Sequence, residues 1–478
     1  MRYRIEKDLL GQRQVPAEAY YGIETLRGKE NFEITKRGIC RQMIKALAIV
    51  KKAAAKANVD ALNIDEKVGK AIMLACDEIL NGRLHGQFVT DLIQGGAGTS
   101  MNMNANEVIA NRANELLGGK KGVYDFVHPN DHVNFGQSTN DVIQTAGKIA
   151  IVKQLKKLQV ELKKLYNAYL NKATEFKDVI KMGRTHLQEA LPLRLGQEFS
   201  AYASALNRDM KRIDVAIEAL LEVNMGATAI GTSLNANEKY RKKVIYYLNK
   251  FSGEQIKPAK DLIDATRNFD TFGQASSTLK LLALNLSKTA SDLRLMASSG
   301  SNGFSEITLP HVQPGSSIMP GKYNPVVPEM VNQVCFYVIG LDVTITKAIE
   351  AGQLELNVFG PIILMSLFEQ ITTLRRATRT FHNLAISGLI ANTTKYKTDN
   401  SIYLITALSP HLGHEEACNV VNEAISSEKT IKQVLLDHHI LSEEIINMVL
   451  DESNMTNPGI ALENILKEKK EHIEKLEN

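Results

Sequence analysis

The sequence has few cysteines, and their spacing serves no evident structural purpose. Cys40, Cys76, Cys335 and Cys418 lie far apart in a chain of 478 residues, and no C-x-x-C pair occurs. Disulfide frameworks and zinc sites both need closely grouped cysteines, so neither is expected to organise this fold. A reducing compartment suits such a chain best.

An excess of charge of either sign is also missing. The 57 lysines and arginines and 53 aspartates and glutamates give a formal net charge of only +4, and the two signs are interleaved. Nucleic acids and anionic membrane surfaces attract strongly basic patches. Neither is therefore expected to be the main partner.

Long apolar runs are absent from the sequence as well. The first residues, MRYRIEKDLLGQRQ, lack the apolar core of a signal peptide, and no uninterrupted apolar run is long enough to span a bilayer. These features predict a cytoplasmic protein without a membrane segment. The content of hydrophobic residues, 44%, is nevertheless ample for a large buried core.

Helical periodicity dominates the middle of the chain. Residues 148–182 contain no glycine or proline, and Ile151, Leu155, Leu158 and Leu162 recur at spacings of four and three, which places them on one helix face. Similar patterns predict four further long helices, at about 199–226, 274–299, from 328 onward, and 362–387.

The predicted fold class is all-α, because alternating strand patterns are almost missing. Length predicts more than one domain. We expect a mainly helical N-terminal domain at 1–139, a central long-helix bundle at 140–394 and a small C-terminal helical domain at 395–478. Frequent glycines and prolines in the first domain predict short helices and loops there.

Apolar stripes of this length need a covering surface. Each helical residue adds about 1.5 Å of rise, so these helices extend beyond a compact monomer. Association of bundles between subunits would cover them economically. The sequence therefore predicts a homo-oligomer.

Four polar segments interrupt the helical pattern, at 95–107, 128–141, 181–188 and 315–325. Taken singly, each is as well explained as a connector between helices. Together they are rich in hydrogen-bond donors and poor in carboxylates and aromatics, which suits a small, multiply charged anion. The candidate donors are Thr99, Ser138, Thr139, Asn140, Thr185, His186, Ser316, Ser317, Lys322 and Asn324.

Motifs for other ligands are incomplete. The segment GGAGTS has neither the spacing of a phosphate-binding loop nor a preceding strand, so a nucleotide is not indicated. His411 and His414 have a spacing found in metal sites, but no second pair of ligands is near them in the sequence, and the adjacent His438 and His439 cannot both face one metal. The sequence indicates no metal and no cofactor.

The segment GSSIMPGKYNP, residues 315–325, resembles the signature of the fumarase/aspartase superfamily, G-S-S-x-M-P-x-K-x-N-P. The resemblance extends over nearly the whole chain. It includes the segments GAGTSMNMNANEVIANR, HPNDHVN, QSTND, KMGRTHLQEALPLRLGQEF, VNMGATAIGT and AGQLELNV. It implies a three-domain, all-α homotetramer whose active sites each combine segments from three subunits.

Two local features resemble the aspartase branch of this superfamily more than class II fumarases. Fumarases typically have G-S-G-T-Q-S-N-M-N and N-P-T-Q-C-E where this chain has GAGTSMNMN and NPVVPE. The resemblance implies reversible deamination of L-aspartate to fumarate and ammonia. Fumarate hydration and a non-catalytic scaffold of the same fold remain as alternatives.

The resemblance also implies roles for the candidate donors. Ser316 would be the base, made more acidic by backbone amides and nearby Lys322, and Glu329 would support His186, which orients the substrate. Binding roles would fall to Thr99, Ser138, Thr139 and Ser317 for the β-carboxylate, Lys322 and Asn324 for the α-carboxylate, and Asn140, Thr185 and His186 for the amino group.

Other residues near these segments have structural interpretations or depart from the family pattern. Ile318 and Met319 are expected to be packing anchors, and Asn102 and Asn104 are as readily turn or cap residues as ligands. Two departures are Tyr323, where valine is common, and Ser233, which replaces the second glycine of G-T-G-L-N.

Overall fold

The computed structural model describes residues 2–298, 302–393 and 401–464. Helices account for most of the elements. In chain order they are α1 (Ile23–Asn31), α2 (Arg41–Asp60), α3 (Glu66–Leu80), α4 (Thr99–Leu116), α5 (Thr139–Glu175), α6 (Leu195–Leu220), α7 (Glu238–Ser252), α8 (Leu262–Arg267), α9 (Asp270–Met296), α10 (Val326–Glu350), α11 (Gly360–Phe381), α12 (Ile405–Leu412), α13 (His414–Ser427), α14 (Ile431–Asp437), α15 (Glu443–Val449) and α16 (Glu452–Met455).

The strands in the described residues form four two-stranded sheets. Three of these sheets are antiparallel, and one, the third in chain order, is parallel. They pair β1 (Tyr3–Asp8) with β2 (Gly11–Pro16), β3 (Ile180–Thr185) with β4 (Gln188–Arg194), β5 (Glu222–Val223) with β6 (Lys257–Pro258), and β7 (Ile307–Thr308) with β8 (Ile390–Ala391). Such short sheets leave the predicted all-α class intact, and that prediction is confirmed.

The five predicted long helices are α5, α6, α9, α10 and α11. Helix α5 has 37 residues and begins at Thr139 rather than at 148. The sequence pattern began later because Gly147 interrupts it, but this glycine serves helix packing. A Cβ atom on Gly147 would lie 2.5 Å from Leu364 of α11. The predicted end of the third helix, Ser299, lies outside the described residues.

Two expectations about the first third of the chain are wrong. Its helices are not short, since α2 has 20 residues and α4 has 18. Asn102 and Asn104 are neither turn nor cap residues, because both are buried inside α4. The amide of Asn104 replaces missing backbone partners: it donates to Gln87 O at 2.9 Å and accepts from Val89 N at 2.8 Å.

The chain divides into two compact units, each made of separate stretches of sequence. Unit 1 comprises residues 1–162, 208–287 and 332–378, and unit 2 comprises 163–207, 288–331 and 379–478. Within unit 2, the short helices α12 to α15 form a hydrophobic cluster with Leu408, Val434 and Ile446 fully buried. The three-domain division with boundaries after 139 and 394 stays a prediction.

Helix α10 is apolar for an exposed helix. Within the described residues it is the one helix whose length and mean hydropathy would suffice to cross a membrane, and 39% of that stretch is buried in the chain. The sequence analysis found no uninterrupted apolar run because Glu329 and Asp342 lie within this helix. Phe336 and Val343, seven residues apart on one face, are both mostly exposed.

Candidate active site

The first candidate donor, Thr99, begins helix α4 after a turn of unusual conformation. Gly96, Ala97 and Gly98 all have positive φ angles, of 75°, 57° and 98°. Glycine is favoured at 98, because its φ is one that other residues rarely adopt and a Cβ atom there would lie 3.1 Å from Ile143 of α5. The turn therefore brings the N-terminus of α4 against the first turns of α5.

Ser138, Thr139 and Asn140 stand at the N-terminus of α5. Ser138 Oγ accepts a hydrogen bond from Asn140 N at 3.2 Å, as a helix-capping serine does. Asn102 of α4 donates to Thr139 Oγ1 at 3.3 Å. Helix N-termini carry partial positive charge and unpaired backbone donors, so two of them meeting here suit a carboxylate.

A buried carboxylate fixes the Ser138 end of α5. Asp141 Oδ1 accepts from Ser138 N at 2.9 Å, while Oδ2 accepts from Gly226 N at 3.1 Å and Thr228 N at 3.0 Å. Complete burial raises the pKa of Asp141 to about 6 despite these donors. Sequence reasoning did not select Asp141, although serine followed three residues later by an acid is a signal for a capped helix.

A second buried group lies behind the same donors. The Lys51 ammonium is fully buried and donates to Asn134 Oδ1 at 2.8 Å and to Gln137 Oε1 at 3.0 Å. Asn102, the partner of Thr139, also donates to Asn134 Oδ1, at 3.2 Å. Burial lowers the pKa of Lys51 to about 7. The sequence gave no signal for this residue, which stands in an ordinary helical stretch.

Thr185 and His186 lie at the tip of a β-hairpin in unit 2, where the sequence analysis expected a loop. Thr185 pairs with Gln188, which leaves His186 and Leu187 as a two-residue turn. Both turn residues have positive φ angles, 54° and 61°, although neither is glycine or asparagine. This is the backbone of a type I′ turn, which twists in the same sense as its strands. Such strain in non-glycine residues is concentrated at functional sites.

Buried charges anchor the base of this hairpin. Lys181 Nζ lies 2.7 Å from Glu306 Oε2, and Arg184 pairs with the same carboxylate. The Arg184 guanidinium also lies over the Phe304 ring, 4.3 Å from its centroid. Glu306 is almost fully buried, so the ion pairs are shielded from solvent and fix the hairpin to the chain leading into the signature loop.

The signature loop, residues 315–325, is closed at its base by one backbone hydrogen bond and one from the side-chain amide of Asn324. Gly315 N donates to Lys322 O at 2.8 Å, and the Asn324 amide donates to Gly315 O at 2.7 Å. A Cβ atom at Gly315 would lie 2.6 Å from Lys322 O, so only glycine permits this approach. Asn324, a predicted ligand, thus has a structural hydrogen bond as well.

Ser316 sits inside the loop with its hydroxyl oxygen facing backbone donors. Its Oγ accepts from Ile318 N at 3.2 Å and from Met319 N at 3.0 Å. Hydrogen bonds to the charged form of a group stabilise that form, here a serine alkoxide. The expectation that Ile318 and Met319 are packing anchors is wrong for the single chain: their side chains are 83% and 47% exposed, since their amides and not their side chains face inward.

A cavity of about 810 Å³ lies beside the signature loop within unit 2. Arg294, His311 and Lys322 contribute its basic side chains, and Ser298 and Asn324 are among its neutral polar ones. Among the described residues that line it, none is a carboxylate. This composition favours an anionic ligand.

The candidate residues thus fall into two groups. Unit 1 holds Thr99, Ser138, Thr139 and Asn140, and unit 2 holds Thr185, His186, Ser316, Ser317, Lys322, Asn324 and Glu329. In the described part of the chain no hydrogen bond or ion pair joins Glu329 to His186. The predicted roles of these residues remain predictions.

Comparison with known proteins finds matches to most of the chain, and these include both groups of candidate residues. A family model described as Lyase matches residues 11–340, and one described as Fumarase C C-terminus matches residues 404–457. The chain therefore belongs to the fumarase/aspartase superfamily of lyases. Within that superfamily, relatives that are 45% to 51% identical over at least 95% of this chain are aspartate ammonia-lyases.

An aspartate ammonia-lyase from Bacillus subtilis is 51% identical over 466 residues, covering 97% of this chain and 98% of the relative. A class II fumarase from Schistosoma mansoni has a TM-score of 0.93 but only 34% identity, over 96% of this chain and 100% of its own. A fumarate lyase/delta crystallin from Brucella melitensis, solved bound to cobalt, also has a TM-score of 0.93, with 44% identity and the same coverages. The fold is thus shared, while identity favours the aspartase branch.

Proposed function

We propose that this chain is an ammonia-lyase that converts L-aspartate reversibly to fumarate and ammonia. The names of its full-length relatives supply the substrate. The observation that carries the chemistry is the Ser316 hydroxyl, whose oxygen accepts two backbone hydrogen bonds in a loop that also bears Lys322. No cofactor is needed for this proposal.

The reaction begins with removal of a proton from the carbon beside the β-carboxylate. This proton is very weakly acidic, and its loss leaves an aci-carboxylate with an additional negative charge. Donors fixed in advance stabilise such an anion, with single donors contributing about 3 kcal/mol. The two helix N-termini at Thr99 and Thr139 supply donors of this kind, so we assign them, with Ser138 and Ser317, to the β-carboxylate.

Ser316 takes the proton in this scheme. Its backbone donors stabilise the alkoxide, and exclusion of water would strengthen the effect. Lys322 and Asn324 bind the α-carboxylate, so the same loop both binds the substrate and removes its proton. When the carbon–nitrogen bond breaks, its electron pair leaves with the amino group and the double bond of fumarate forms.

His186 orients the amino group together with Thr185 and Asn140, and Glu329 supports the imidazole. The strained turn favours this assignment, because it projects His186 from the tip of an anchored hairpin. If Ser316 is not the base, His186 with Glu329 is the leading replacement.

The proposed assembly is a cytoplasmic homotetramer with each site shared between three subunits. The exposed face of α10, with Phe336, Tyr337 and Val343, needs covering, and a second copy of the same helix would do this. Thr99→Ala and Ser316→Ala subunits should each form inactive tetramers. Mixed tetramers should regain partial activity, because some sites then receive only unaltered segments. A stable, active monomer in light scattering would contradict the assembly.

The substrate assignment is tested by following the ultraviolet absorbance of fumarate. We expect the absorbance to fall when fumarate and ammonium are both present and to stay constant with fumarate alone. Malate formation without ammonium would instead establish a fumarase, as the Schistosoma mansoni neighbour is described. Absence of turnover with every dicarboxylate tested would leave the scaffold alternative.

A further inference from the structure

Two residues at the base of the signature loop, one before it and one near its end, form a close aromatic stack. The His311 and Tyr323 rings are nearly parallel, at an interplanar angle of 5°, with centroids 3.7 Å apart. His311 lies four residues before the start of the loop, and Tyr323 lies two residues before its end. The stack therefore crosses the same gap as the hydrogen bond from Gly315 N to Lys322 O.

Tyr323 stands between the two proposed ligands of the α-carboxylate. Because Tyr323 lies between Lys322 and Asn324 in the chain, contact of its ring with His311 limits how far this stretch of backbone can move. Both rings line the cavity of about 810 Å³ beside the loop, so the stack also forms part of its wall. The position of the Tyr323 ring is thus linked to the shape of the candidate site.

The stack itself, and not the phenol group, holds Tyr323 in place. Its ring is 49% exposed, so burial in a core does not fix it. In the described residues its hydroxyl makes no hydrogen bond, and His311 is likewise without a hydrogen-bonded partner. The parallel contact with the His311 ring is the interaction that the structure shows for the tyrosine side chain in the described residues.

We propose that His311 and Tyr323 are positioning residues for the lyase reaction: their stack holds Lys322 and Asn324 in the geometry that binds the α-carboxylate. This inference deepens the proposed function and rests on it for the identity of the ligand. Valine at 323, common in the family pattern, cannot form the stack. In this chain the two rings of the stack come from His311, before the loop, and Tyr323, near its end.

The kinetic test compares four variants of the full-length enzyme. Tyr323→Phe keeps the stack and should resemble the parent. Tyr323→Val and His311→Ala each abolish it, and each should raise the KM for aspartate and the dissociation constant of succinate by about 3- to 10-fold, with kcat changed less than 2-fold. The double variant should be no worse than either single one, because both remove the same contact.

Two kinetic outcomes would overturn the inference. If Tyr323→Phe is as impaired as Tyr323→Val, the hydroxyl and not the stack matters. If the two single effects multiply in the double variant, the rings act independently.

A spectroscopic test does not depend on activity. The chain contains no tryptophan, so Tyr323→Trp introduces a single indole fluorophore at the stack. An imidazole against the indole quenches its emission, and adding His311→Ala should therefore raise the intensity at least 1.5-fold. Unchanged intensity would show that the rings are not stacked in solution. This result separates failure of the stack from failure of the proposed function, which would appear as a parent enzyme that neither converts aspartate nor binds succinate.

Discussion

The donors in unit 1 and those in unit 2 are supported in different ways. Thr139 is backed by Asn102, and Ser138 is backed by the fully buried Asp141. In the signature loop, by contrast, Ser317 and Lys322 are exposed, and the Ser316 hydroxyl accepts hydrogen bonds from two amides of its own loop. The proposed donors of unit 1 are therefore held in place before any ligand arrives.

This difference corresponds to two chemical tasks. A fixed set of donors needs little reorganisation, and so loses little free energy, when charge develops on the β-carboxylate. The base needs a different environment, since serine becomes a base only when water is excluded and its alkoxide is stabilised. An exposed loop closed at its base by Gly315 and Asn324 can cover a substrate while keeping its own internal hydrogen bonds.

The largest expected effect comes from the base. Ser316→Ala should lower kcat by a factor of about 10² to 10⁴, the usual contribution of a positioned base. Affinity for succinate should change less than 2-fold, because the donors to both carboxylates remain. Exchange of the β-proton of aspartate with solvent deuterium measures the step directly. Exchange at the parental rate would remove Ser316 from this role in favour of His186.

The second effect concerns the loop cation. Lys322→Ala should raise KM as well as lower kcat, since in the proposed site the ammonium would contact the α-carboxylate before and during reaction. Loss of a hydrogen bond to a charged group costs about 1.5 to 3 kcal/mol, so kcat/KM should fall by about 10- to 150-fold. Lys347→Ala, which alters an exposed lysine paired with Glu350, is the matched control and should behave as the parent. Unchanged succinate affinity would place Lys322 outside the binding site.

A smaller effect is expected from the support of unit 1. Asp141→Ala leaves the amides of Ser138, Gly226 and Thr228 without their acceptor, at a cost in stability of about 1 to 3 kcal/mol for each amide that stays buried. The Tm should fall, and kcat/KM should fall by about 10-fold because Ser138 loses its fixed position. Asp141→Asn keeps one acceptor oxygen, so its Tm and its kcat/KM should lie between those of Asp141→Ala and those of the parent. A full loss of activity at unchanged Tm would instead indicate a direct chemical role.

The smallest effect concerns backbone strain in the segment that Asp141 supports. Ser233 has a φ of +60°, a conformation that glycine adopts freely and serine does not. Ser233→Gly should therefore raise the free energy of unfolding by about 1 kcal/mol. Asn235, at φ +66°, is the matched control, because asparagine tolerates this conformation and Asn235→Gly should gain little. Denaturant unfolding measures both, and equal gains would contradict the strain argument.

The sequence predicted the long helices because their apolar stripes are continuous, and it missed features that depend on contacts between distant residues. The start of helix α5 was predicted too late because Gly147 looked like a helix breaker. The glycine is there because Leu364, far away in the chain, leaves no room for a side chain. The hairpin of β3 and β4 was missed because Gly183 and Pro192 look like loop residues. Pro192 pairs with Met182, and Gly183 lies at the register shift that follows it.

The candidate donors themselves were found from the family signature and from their shared chemistry. Their supports, Lys51 and Asp141, were not. Burial of Lys51 in a polar network leaves no local pattern in a sequence, and the spacing of Ser138 and Asp141 indicates a helix cap but not the contacts of Asp141 with Gly226 and Thr228. The stack of His311 on Tyr323 was equally hidden: the sequence marked Tyr323 as a departure but did not indicate its partner.

The cavity beside the signature loop has a consequence for the order of events in a catalytic cycle. Arg294, His311 and Lys322 line it, and none of the described residues in its lining is a carboxylate. Such a surface attracts a dianion and repels a small cation. Once the carbon–nitrogen bond is broken, we therefore expect the ammonium ion to leave first and fumarate last. In the synthetic direction we expect fumarate to bind first and ammonium second.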